Sequence, residues 1–298
     1  MHAVVIHETG GPGVLRYEEV SDPQPGGDEV LVRLEAAGVN HYDINLRAGM
    51  ASEFPLVLGG DGAGHREDTG ERVLLAGARL GTYAELAAVD PANLWAIPDE
   101  LEASTAACLG TPYRAAWVAL VATADLQPGE KLLVQAGSSG TGMACIDLGK
   151  AIGATVYGTA SESKLERVRE LGAEPLAYDD ERVGELGADV VYDPVGGDTF
   201  ERSLNALGAN GRIITPGALG TSQVSFDLWT LVGKRARIAG LAAQTAPRAA
   251  LEDIIQRAAK GELRPVIDRV LPLEQAAEAH RAIEARETFG KLVLTPLH

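Results

Sequence analysis

A run of small residues between Gly137 and Gly142 has the types and spacing needed for one specific chemistry. It reads Gly137-Ser138-Ser139-Gly140-Thr141-Gly142. Small residues let backbone N–H groups come close to phosphate oxygens, and a helix that begins in such a turn adds the partial positive charge of its N-terminus. The run departs from the fingerprint G-x-G-x-x-G only at its middle position, Ser139, which is small enough to fit. It therefore predicts a binding site for a dinucleotide pyrophosphate; the alternative is a plain strand-to-helix turn.

The segments that flank this run have the character needed to position it. A short apolar strand, Leu132–Ala136, precedes the turn. A helical segment follows from about Met143 to Ile152, and a second apolar strand, Ala154–Thr159, comes next. Strand, turn, helix and strand in this order form a βαβ unit whose turn lies where a pyrophosphate binds. The order of the elements favours dinucleotide binding over a plain turn.

The end of the second strand indicates which dinucleotide binds. Sites for NAD usually place an Asp or Glu there, where it accepts a hydrogen bond from the ribose 2′-hydroxyl. Here no acid stands at the strand end itself, and Ser161 and Lys164 follow with groups that suit a 2′-phosphate. Glu162 could instead bind a ribose hydroxyl, and Lys164 could be a solvent-exposed residue in the first turn of a helix. We predict NADP(H) rather than NAD(H).

Strands alternate with helices throughout 131–241. The pattern predicts strands at 132–136, 154–159, 175–178, 189–193, 211–215 and 236–240, and helices near 143–152, 162–171 and 198–207. This alternation is typical of a parallel sheet covered by helices on both faces. The fold class is therefore α/β, with a doubly wound parallel sheet in this part of the chain.

The rest of the chain has a different pattern, which indicates a second domain. Residues 1–108 are β-rich, with Gly/Pro turns between the strands. The predicted strands there are Ala3–His7, Val14–Val20, Glu29–Ala37, Arg72–Leu75 and Tyr83–Val89. Further predicted elements are helices over 103–124 with a break near 110–112, over 246–260 and over 273–285, and a last strand at 291–294.

Composition excludes several classes of protein. The 298 residues carry 42 acidic and 26 basic side chains, and the formal net charge of −16 repels nucleic acid and anionic membranes. No apolar run approaches the roughly 18 residues of a membrane span, and the N-terminus lacks the regions of a signal peptide. Cys108 and Cys145 imply no disulfide framework and fit a reducing cytoplasm. We expect a cytoplasmic protein without nucleic-acid or membrane partners.

Five stretches spread over the chain carry a resemblance to one family. They are VVIHETGGPGVLRYEEV with PQPGGDEVLVRLEAAGVNHYD, LVLGGDGAG, VQAGSSGTG, ADVVYDPVGGDTFERSLNALGANGRIITPG and LPLEQAAEAHRAIEARETFGKLVL. The chain resembles the zinc-independent medium-chain dehydrogenases/reductases, in the quinone oxidoreductase (zeta-crystallin-like) branch. The resemblance implies a GroES-like β-barrel catalytic domain at 1–109 and 250–298. A Rossmann domain that binds NADP(H) is expected between them, at 110–249.

The residues at the family's zinc positions predict that no metal binds. A structural zinc lobe needs four closely spaced cysteines, and the whole chain has two. Catalytic zinc needs ligands such as Cys, His and Cys with one open position. By the resemblance, Asn40 stands at the first ligand position, and Gly59-Gly60-Asp61 lacks the histidine of the second. We interpret Cys108, near the third region, as an ordinary buried thiol; His41 and His65 are the other conceivable ligands.

The resemblance also implies residues around the cofactor. Lys164, Tyr178 and Arg286 match family residues that bind the 2′-phosphate, although each could be an ordinary surface or element-end residue. The loops at 195–196 and 217–218 are expected near the nicotinamide ribose, unless they only turn the chain. The predicted cofactor-binding residues are Gly137, Ser138, Ser139, Gly140, Thr141, Gly142, Ser161, Lys164, Tyr178, Val195, Gly217, Ala218 and Arg286.

The catalytic residues follow less directly from the sequence. Asn40 matches a family asparagine that faces the nicotinamide, where its amide could donate to a substrate carbonyl; its alternative is a turn asparagine. Tyr42 is a neighbouring phenolic donor. The family tyrosine three residues further on is Asn45 here, and this departure leaves the substrate class open. Tyr113 and Trp117 could line the site, but core packing is the simpler interpretation.

The expected activity is NADPH-dependent hydride transfer to a quinone or an α,β-unsaturated carbonyl. Two alternatives stay open: an enoyl-thioester reductase on the same scaffold, and a non-catalytic NADPH-binding protein. The connection between Gly64 and Val73 is shorter than the family's, which keeps the second alternative open. The resemblance also implies a homodimer, since an edge strand around Arg235–Leu241 would otherwise expose unpaired backbone groups.

Overall fold

A computed structural model describes residues 1–241 and 246–296. The chain divides into two compact units: Met1–Thr111 with Leu251–His298, and Pro112–Ala250. The last two residues of the predicted catalytic domain, 297–298, lie outside the described part. Within the described part, no helix is both long and apolar enough to cross a membrane.

Strands predominate in the first unit, whereas in the second an α-helix separates most consecutive strands, the exception being the strands Glu174–Ala177 and Ala188–Tyr192. The strands are β1 (His2–Ile6), β2 (Arg16–Glu19), β3 (Val30–Gly38), β4 (Leu56–Val57), β5 (Asp61–Arg66), β6 (Arg72–Ala76), β7 (Leu86–Val89), β8 (Leu94–Ala96), β9 (Lys131–Val134), β10 (Thr155–Ala160), β11 (Glu174–Ala177), β12 (Ala188–Tyr192), β13 (Leu207–Thr215), β14 (Arg237–Gly240), β15 (Ile267–Pro272) and β16 (Lys291–Thr295). The helices are α1 (His41–Asn45), α2 (Ala103–Ala106), α3 (Gly110–Trp117), α4 (Gly140–Ile152), α5 (Leu165–Glu170), α6 (Asp198–Ala206), α7 (Leu228–Lys234), α8 (Arg248–Ala259) and α9 (Ala276–Glu284).

The unit formed by both chain ends is built on two sheets. The larger has the strand order β15-β16-β3-β5-β6-β8, with β7 also paired to β3, and the smaller has the order β2-β1-β4. Strand β3 pairs antiparallel with β5, β7 and β16, so the C-terminal strand completes the sheet of the N-terminal part. The inner faces and α9 enclose a core that includes Ile6, Leu58, Ala279, Ala282 and Leu292. This is the GroES-like part of the fold.

The second unit is a six-stranded parallel sheet with the order β11-β10-β9-β12-β13-β14. Neighbouring residues of β9 point to opposite faces of the sheet. Leu133 packs in a core cluster with Phe200 and Leu204 of α6, whereas Leu132 lies against Gly149 of α4, where an added Cβ would approach it within 2.6 Å. Helices therefore cover both faces, and the α/β, doubly wound prediction is confirmed.

One central strand of the first unit was missed by the sequence pattern. Strand β5 reads DGAGHR and lacks the apolar alternation of a strand, yet it is paired on both sides, with β3 and β6. The glycines are needed because a Cβ on Gly64 would lie 1.9 Å from the carbonyl oxygen of Arg33. The strand expected over Tyr83–Val89 begins only at Leu86. Short glycine-rich strands of this kind are specified by close backbone packing, which propensity does not report.

Candidate functional site

The predicted cofactor residues of the second unit share one edge of its sheet. The glycine-rich turn follows β9, Ser161 and Lys164 follow β10, Tyr178 follows β11, and the loops at 195 and 217–218 follow β12 and β13. All these strands are parallel, so their carboxyl ends lie at the same edge. The strand order reverses between β9 and β12, which start opposite halves of the sheet. Ligands of open α/β sheets bind at such a switch point.

The turn after β9 is closely packed, and its small residues leave the backbone accessible to a ligand. Helix α4 begins at Gly140, and the hydroxyl of Ser139 caps it by accepting from the N–H of Gly142 at 3.0 Å. A Cβ on Gly142 would lie 2.2 Å from the carbonyl oxygen of Ala136, so only glycine fits there. Ala136 itself has a left-handed φ of 54°. The N-terminus of this 13-residue helix, with small residues throughout the turn, suits a pyrophosphate.

The ends of β10 and β11 bring together the residues predicted for the 2′-phosphate. Ala160 pairs with Ala177, so Ser161 and Tyr178 each stand one residue beyond that pair. Tyr178 is 50% exposed, and Lys164 is half-buried in the single turn 162–164 that follows Ser161. Glu162, the alternative ribose ligand, is exposed in the same turn. A serine hydroxyl, an ammonium and a phenol at two adjacent strand ends are donors that suit a phosphate.

The two loops expected near the nicotinamide ribose are hydrogen bonded to each other. The N–H of Leu219 donates to the carbonyl of Pro194 at 2.7 Å, and that of Gly220 donates to Val195 at 2.9 Å. Gly217 and Ala218 are exposed and immediately precede these contacts in the chain. Arg286 belongs to the other unit, where it follows α9 with a left-handed φ of 58°. Its contact with a 2′-phosphate stays a prediction.

Asn40 is held in a buried hydrogen-bond network of the first unit. Its Nδ2 donates to Oδ2 of Asp61 at 2.9 Å and to the carbonyl of Gly38 at 3.3 Å. Its Oδ1 accepts from the ammonium of Lys291 at 2.6 Å. The amide is therefore fixed between a buried anion and a buried cation. Tyr42, the second predicted catalytic residue, lies on α1 with 37% of its surface exposed.

Asp61 is the anion of this network and is fully buried. Besides Asn40, it accepts from the backbone N–H and the hydroxyl of Thr111, each at 2.9 Å from one of its oxygens. Burial raises the pKa of Asp61, and the nearby ammonium of Lys291 is the largest opposing influence. Close packing isolates the carboxylate from water, since a Cβ on Gly110 would lie 2.3 Å from Oδ1.

A second buried carboxyl, Asp43, was missed by the sequence analysis. Its Oδ2 accepts from the backbone N–H of Asn40 at 2.8 Å and from the Tyr83 hydroxyl at 3.2 Å. The Tyr83 oxygen also lies 3.3 Å from Nε2 of His280. Burial raises the pKa of Asp43 to about 7 and lowers that of His280 to about 3. The available signal was the spacing of Asn40 and Asp43, a helix N-cap followed three residues later by an acid.

The aromatic and thiol candidates lie in packed surroundings. Cys108 is buried, its Sγ donates to the Ser104 carbonyl at 3.3 Å, and burial raises the pKa of the thiol to about 12. Tyr113 is 3% exposed and donates its hydroxyl to Asp147 at 2.6 Å, which agrees with core packing. In residues 1–241 and 246–296, the structure groups no three His, Cys, Asp or Glu side chains in a metal-binding arrangement.

Comparisons with known proteins identify relatives along the whole chain. A family model described as alcohol dehydrogenase GroES-like domain matches residues 26–99, and one described as zinc-binding dehydrogenase matches residues 171–294. The quinone oxidoreductase of Sus scrofa is 32% identical, over 99% of this chain and 97% of the relative.

Solved structures agree with this relationship. A protein described as an NAD-dependent alcohol dehydrogenase superposes with a TM-score of 0.92 at 33% identity, over 99% of each chain. A mycobacterial protein solved in complex with NADPH superposes with a TM-score of 0.88 at 30% identity, over 99% of this chain and 100% of the other. Both domain types and a full-length relative at 32% identity thus show that this chain belongs to the medium-chain dehydrogenase/reductase family, in its quinone oxidoreductase branch.

Proposed function

We propose that this protein is an NADPH-dependent reductase that transfers hydride to a quinone or an α,β-unsaturated carbonyl without zinc. The observation that carries the proposal is the carboxyl edge of the parallel sheet. There the glycine-rich turn stands beside Ser161, Lys164 and Tyr178, in a chain similar over its full length to a quinone oxidoreductase. The NADPH complex of a structural relative supports the same cofactor.

NADPH supplies a hydride, and this chain's residues bind and orient the cofactor. In the proposal, the backbone of residues 137–142 and the start of α4 bind the pyrophosphate. Ser161, Lys164, Tyr178 and Arg286 bind the 2′-phosphate. The loops at 195 and 217–218, which hydrogen bond to each other, form the surface next to the nicotinamide ribose.

Asn40 and Tyr42 are the proposed groups for the acceptor. Negative charge develops on the carbonyl oxygen of the acceptor when hydride arrives, and preorganised donors stabilise it. Both N–H groups of the Asn40 amide have partners, Asp61 at 2.9 Å and the carbonyl of Gly38 at 3.3 Å, so a substrate oxygen would have to replace the longer hydrogen bond to Gly38. Tyr42 offers an exposed phenol. Water can supply the final proton.

The residues at the zinc positions support zinc independence. A catalytic zinc needs anionic or imidazole ligands with free lone pairs. The carboxylate of Asp61 is already occupied by Thr111 and Asn40, and the Oδ1 of Asn40 is occupied by Lys291. A divalent cation placed there would also meet the buried ammonium of Lys291. This set of side chains does not fit a metal.

The deciding experiment measures oxidation of NADPH, by loss of absorbance, with quinones, alkenals and enoyl thioesters in the presence of a chelator. Turnover with quinones or alkenals that is unchanged by chelation is expected. Turnover confined to enoyl thioesters would replace the proposal with the enoyl-thioester reductase. Tight NADPH binding with no turnover for any acceptor would favour the non-catalytic cofactor-binding protein.

A further inference from the structure

Four buried polar side chains form a continuous chain of hydrogen bonds in the Pro112–Ala250 unit. Gln135 directly follows β9, and Thr159 belongs to β10. Asp193 directly follows β12, and Ser203 lies on α6. They are 3%, 1%, 0% and 0% exposed, in that order. Polar groups this deeply buried need partners, because water cannot reach them. The four residues supply these partners to one another.

This hydrogen-bond chain runs from the glycine-rich turn to the loop that follows β12. The hydroxyl of Thr159 donates to Oε1 of Gln135 at 2.7 Å, and Nε2 of Gln135 donates to the hydroxyl of Ser203 at 3.1 Å. Ser203 donates to Oδ2 of Asp193 at 2.7 Å. At the first end, the backbone N–H of Ala136 donates to Thr159 at 3.2 Å.

At the other end, Asp193 ties down the loop that follows β12. Its Oδ1 accepts from the backbone N–H of Val195 at 2.8 Å and of Gly196 at 3.1 Å. The first end likewise holds a strained point of the glycine-rich turn, because Ala136 is a non-glycine residue with a φ of 54°. A residue in that conformation persists only when its surroundings fix it.

The groups at its two ends fix which group donates and which accepts in every hydrogen bond of this chain. A backbone N–H can only donate, and an ionised carboxylate can only accept. Between them, each hydroxyl takes one hydrogen bond and passes one on, and the Gln135 amide has only one orientation that fits. The proton positions along the whole chain therefore depend on the carboxylate at Asp193.

We propose that Asp193, Ser203, Gln135 and Thr159 are positioning residues that hold the glycine-rich turn and the 193–197 loop in their dinucleotide-binding geometry before the cofactor arrives. The inference rests on the proposed function, because it assigns both loops to the cofactor. It predicts that a change at one end of the chain alters the loop at the other end. Because both loops are already ordered, cofactor binding does not include the conformational free-energy cost of ordering them.

The sharpest variant is Asp193→Asn, which keeps the size and the acceptor for Val195 and Gly196. Its amide N–H groups would face Ser203, so the hydrogen bonds along the chain must reverse. Thr159 would then accept from both Gln135 and Ala136, and its own hydroxyl proton would lose its acceptor on Gln135, which weakens the hold of Thr159 on the turn. We expect NADPH and NADH each to bind about tenfold more weakly, by the same factor, because the pyrophosphate is common to both. In the cofactor-free protein, amide exchange in residues 136–137 should become several-fold faster.

A double-mutant cycle separates a connected chain from local damage. Thr159→Val breaks the opposite end with little change in volume, and we expect it to weaken both cofactors as Asp193→Asn does. The double variant should bind no worse than the weaker single variant, because one chain is broken in each case. The matched controls are Asp189→Asn on β12 and Thr155→Val on β10, at the amino ends of the same strands, and they should leave cofactor binding unchanged.

Two results would overturn the inference. One is cofactor affinity and amide exchange in folded Asp193→Asn that equal those of the wild type. The other is full additivity of the two changes in the cycle. Failure of the proposed function looks different, since the wild-type protein itself would then either bind neither NADPH nor NADH in the same titration, or bind NADPH and reduce no acceptor.

Discussion

The ammonium group of Lys291 lies 2.6 Å from Oδ1 of Asn40, although the residues are 251 positions apart in sequence. Pairing of β16 with β3, in which Val293 stands opposite Gly38, brings them together. The carbonyl of Val39 accepts a second hydrogen bond from the same ammonium. The C-terminal strand thus fixes the amide that we propose for the acceptor carbonyl, and it places a buried positive charge near Asp61.

Replacing Lys291 by methionine should strongly destabilise the protein and lower turnover. The substitution removes the cation that opposes the charge of buried Asp61 and leaves Oδ1 of Asn40 without its donor. Removal of one partner of a buried charged network costs about 3–5 kcal/mol. Denaturant unfolding measures this loss. In the fraction that stays folded, kcat should fall while the affinity for NADPH is retained.

The double variant Lys291→Met with Asp61→Asn is the informative control for that loss. It removes both charges, so it should recover part of the stability that the single variant loses. A double variant that is less stable than Lys291→Met alone would show that charge compensation is not the cause.

Asp43→Asn should stabilise the protein increasingly as the pH rises from 4 to 8. The native pKa of Asp43 is raised to about 7 from 3.8, so the folded state binds the proton more tightly than the unfolded state. The stability that Asp43 contributes is complete below its unfolded pKa and is lost as the pH rises through its native pKa. This loss amounts to about 2–4 kcal/mol at most. The asparagine side chain of the variant does not ionise, so the variant keeps its stability as the pH rises. Its amide oxygen can still accept hydrogen bonds from the Asn40 N–H and the Tyr83 hydroxyl, as Oδ2 of Asp43 does.

The measurement compares the free energies of unfolding of variant and wild type at several pH values. Asp61 and Lys291 also face Asp43, but they are present in both proteins, so the difference isolates Asp43. Asp28→Asn, the same substitution at an exposed carboxyl in the turn before β3, is the matched control. A difference between Asp43→Asn and wild type that does not change with pH would contradict the raised pKa of the buried Asp43 carboxyl.

Lys164→Ala should reduce the preference for NADPH over NADH. A charge-assisted contact with the 2′-phosphate contributes about 1.5–3 kcal/mol, and several such contacts make a wild-type preference of about a hundredfold a cautious expectation. The variant should weaken NADPH and leave NADH nearly unchanged, as measured by fluorescence titration of both cofactors.

Glu162→Gln, at an exposed residue in the same turn, is the control for this variant. It should leave the preference unchanged if Lys164 is the ligand. Equal affinities for the two cofactors in the wild type would instead direct attention to Glu162 as a ribose ligand.

The parallel sheet was predictable from sequence because its information is local. Each strand from β9 to β14 is a short apolar run bounded by turns, and the predicted positions agree with the observed ones to within a few residues, apart from the early start of β13 at Leu207. The turn at 137–142 was found for the same reason. Its glycines stand in one short segment, between a strand and a helix that local patterns also reveal.

The network around Asn40 could not be predicted in this way. Asp43, Tyr83, His280 and Lys291 come from four separate segments, and each looks like an ordinary polar residue in its own segment. Only the pairing of β16 with β3 brings Lys291 to Asn40. The Asp193–Ser203–Gln135–Thr159 chain is similar, because its members follow or belong to different elements and meet only at the sheet edge.

The protein should form a homodimer through the β14 edge of the parallel sheet. Helix α7, beside this edge, exposes Leu228 and Trp229, which are 63% and 78% accessible, and Ile238 of β14 is 40% exposed. An edge strand with unpaired backbone groups next to an apolar surface is a site for pairing with another chain. Light scattering should give twice the chain mass of 31.2 kDa at micromolar concentration.

Charged substitutions at this edge should convert the dimer to a monomer. Trp229→Glu and Ile238→Lys each place a charge where a second copy would pack, and both positions are exposed, so the subunit itself should stay folded. Val270→Lys is the matched control, because Val270 is 49% exposed on β15, the edge strand of the other unit's larger sheet, and its change should leave the dimer intact. A wild-type protein that stays monomeric would refute the homodimer. A dimer that survives both edge substitutions and dissociates with Val270→Lys would place the interface at β15 and not at β14.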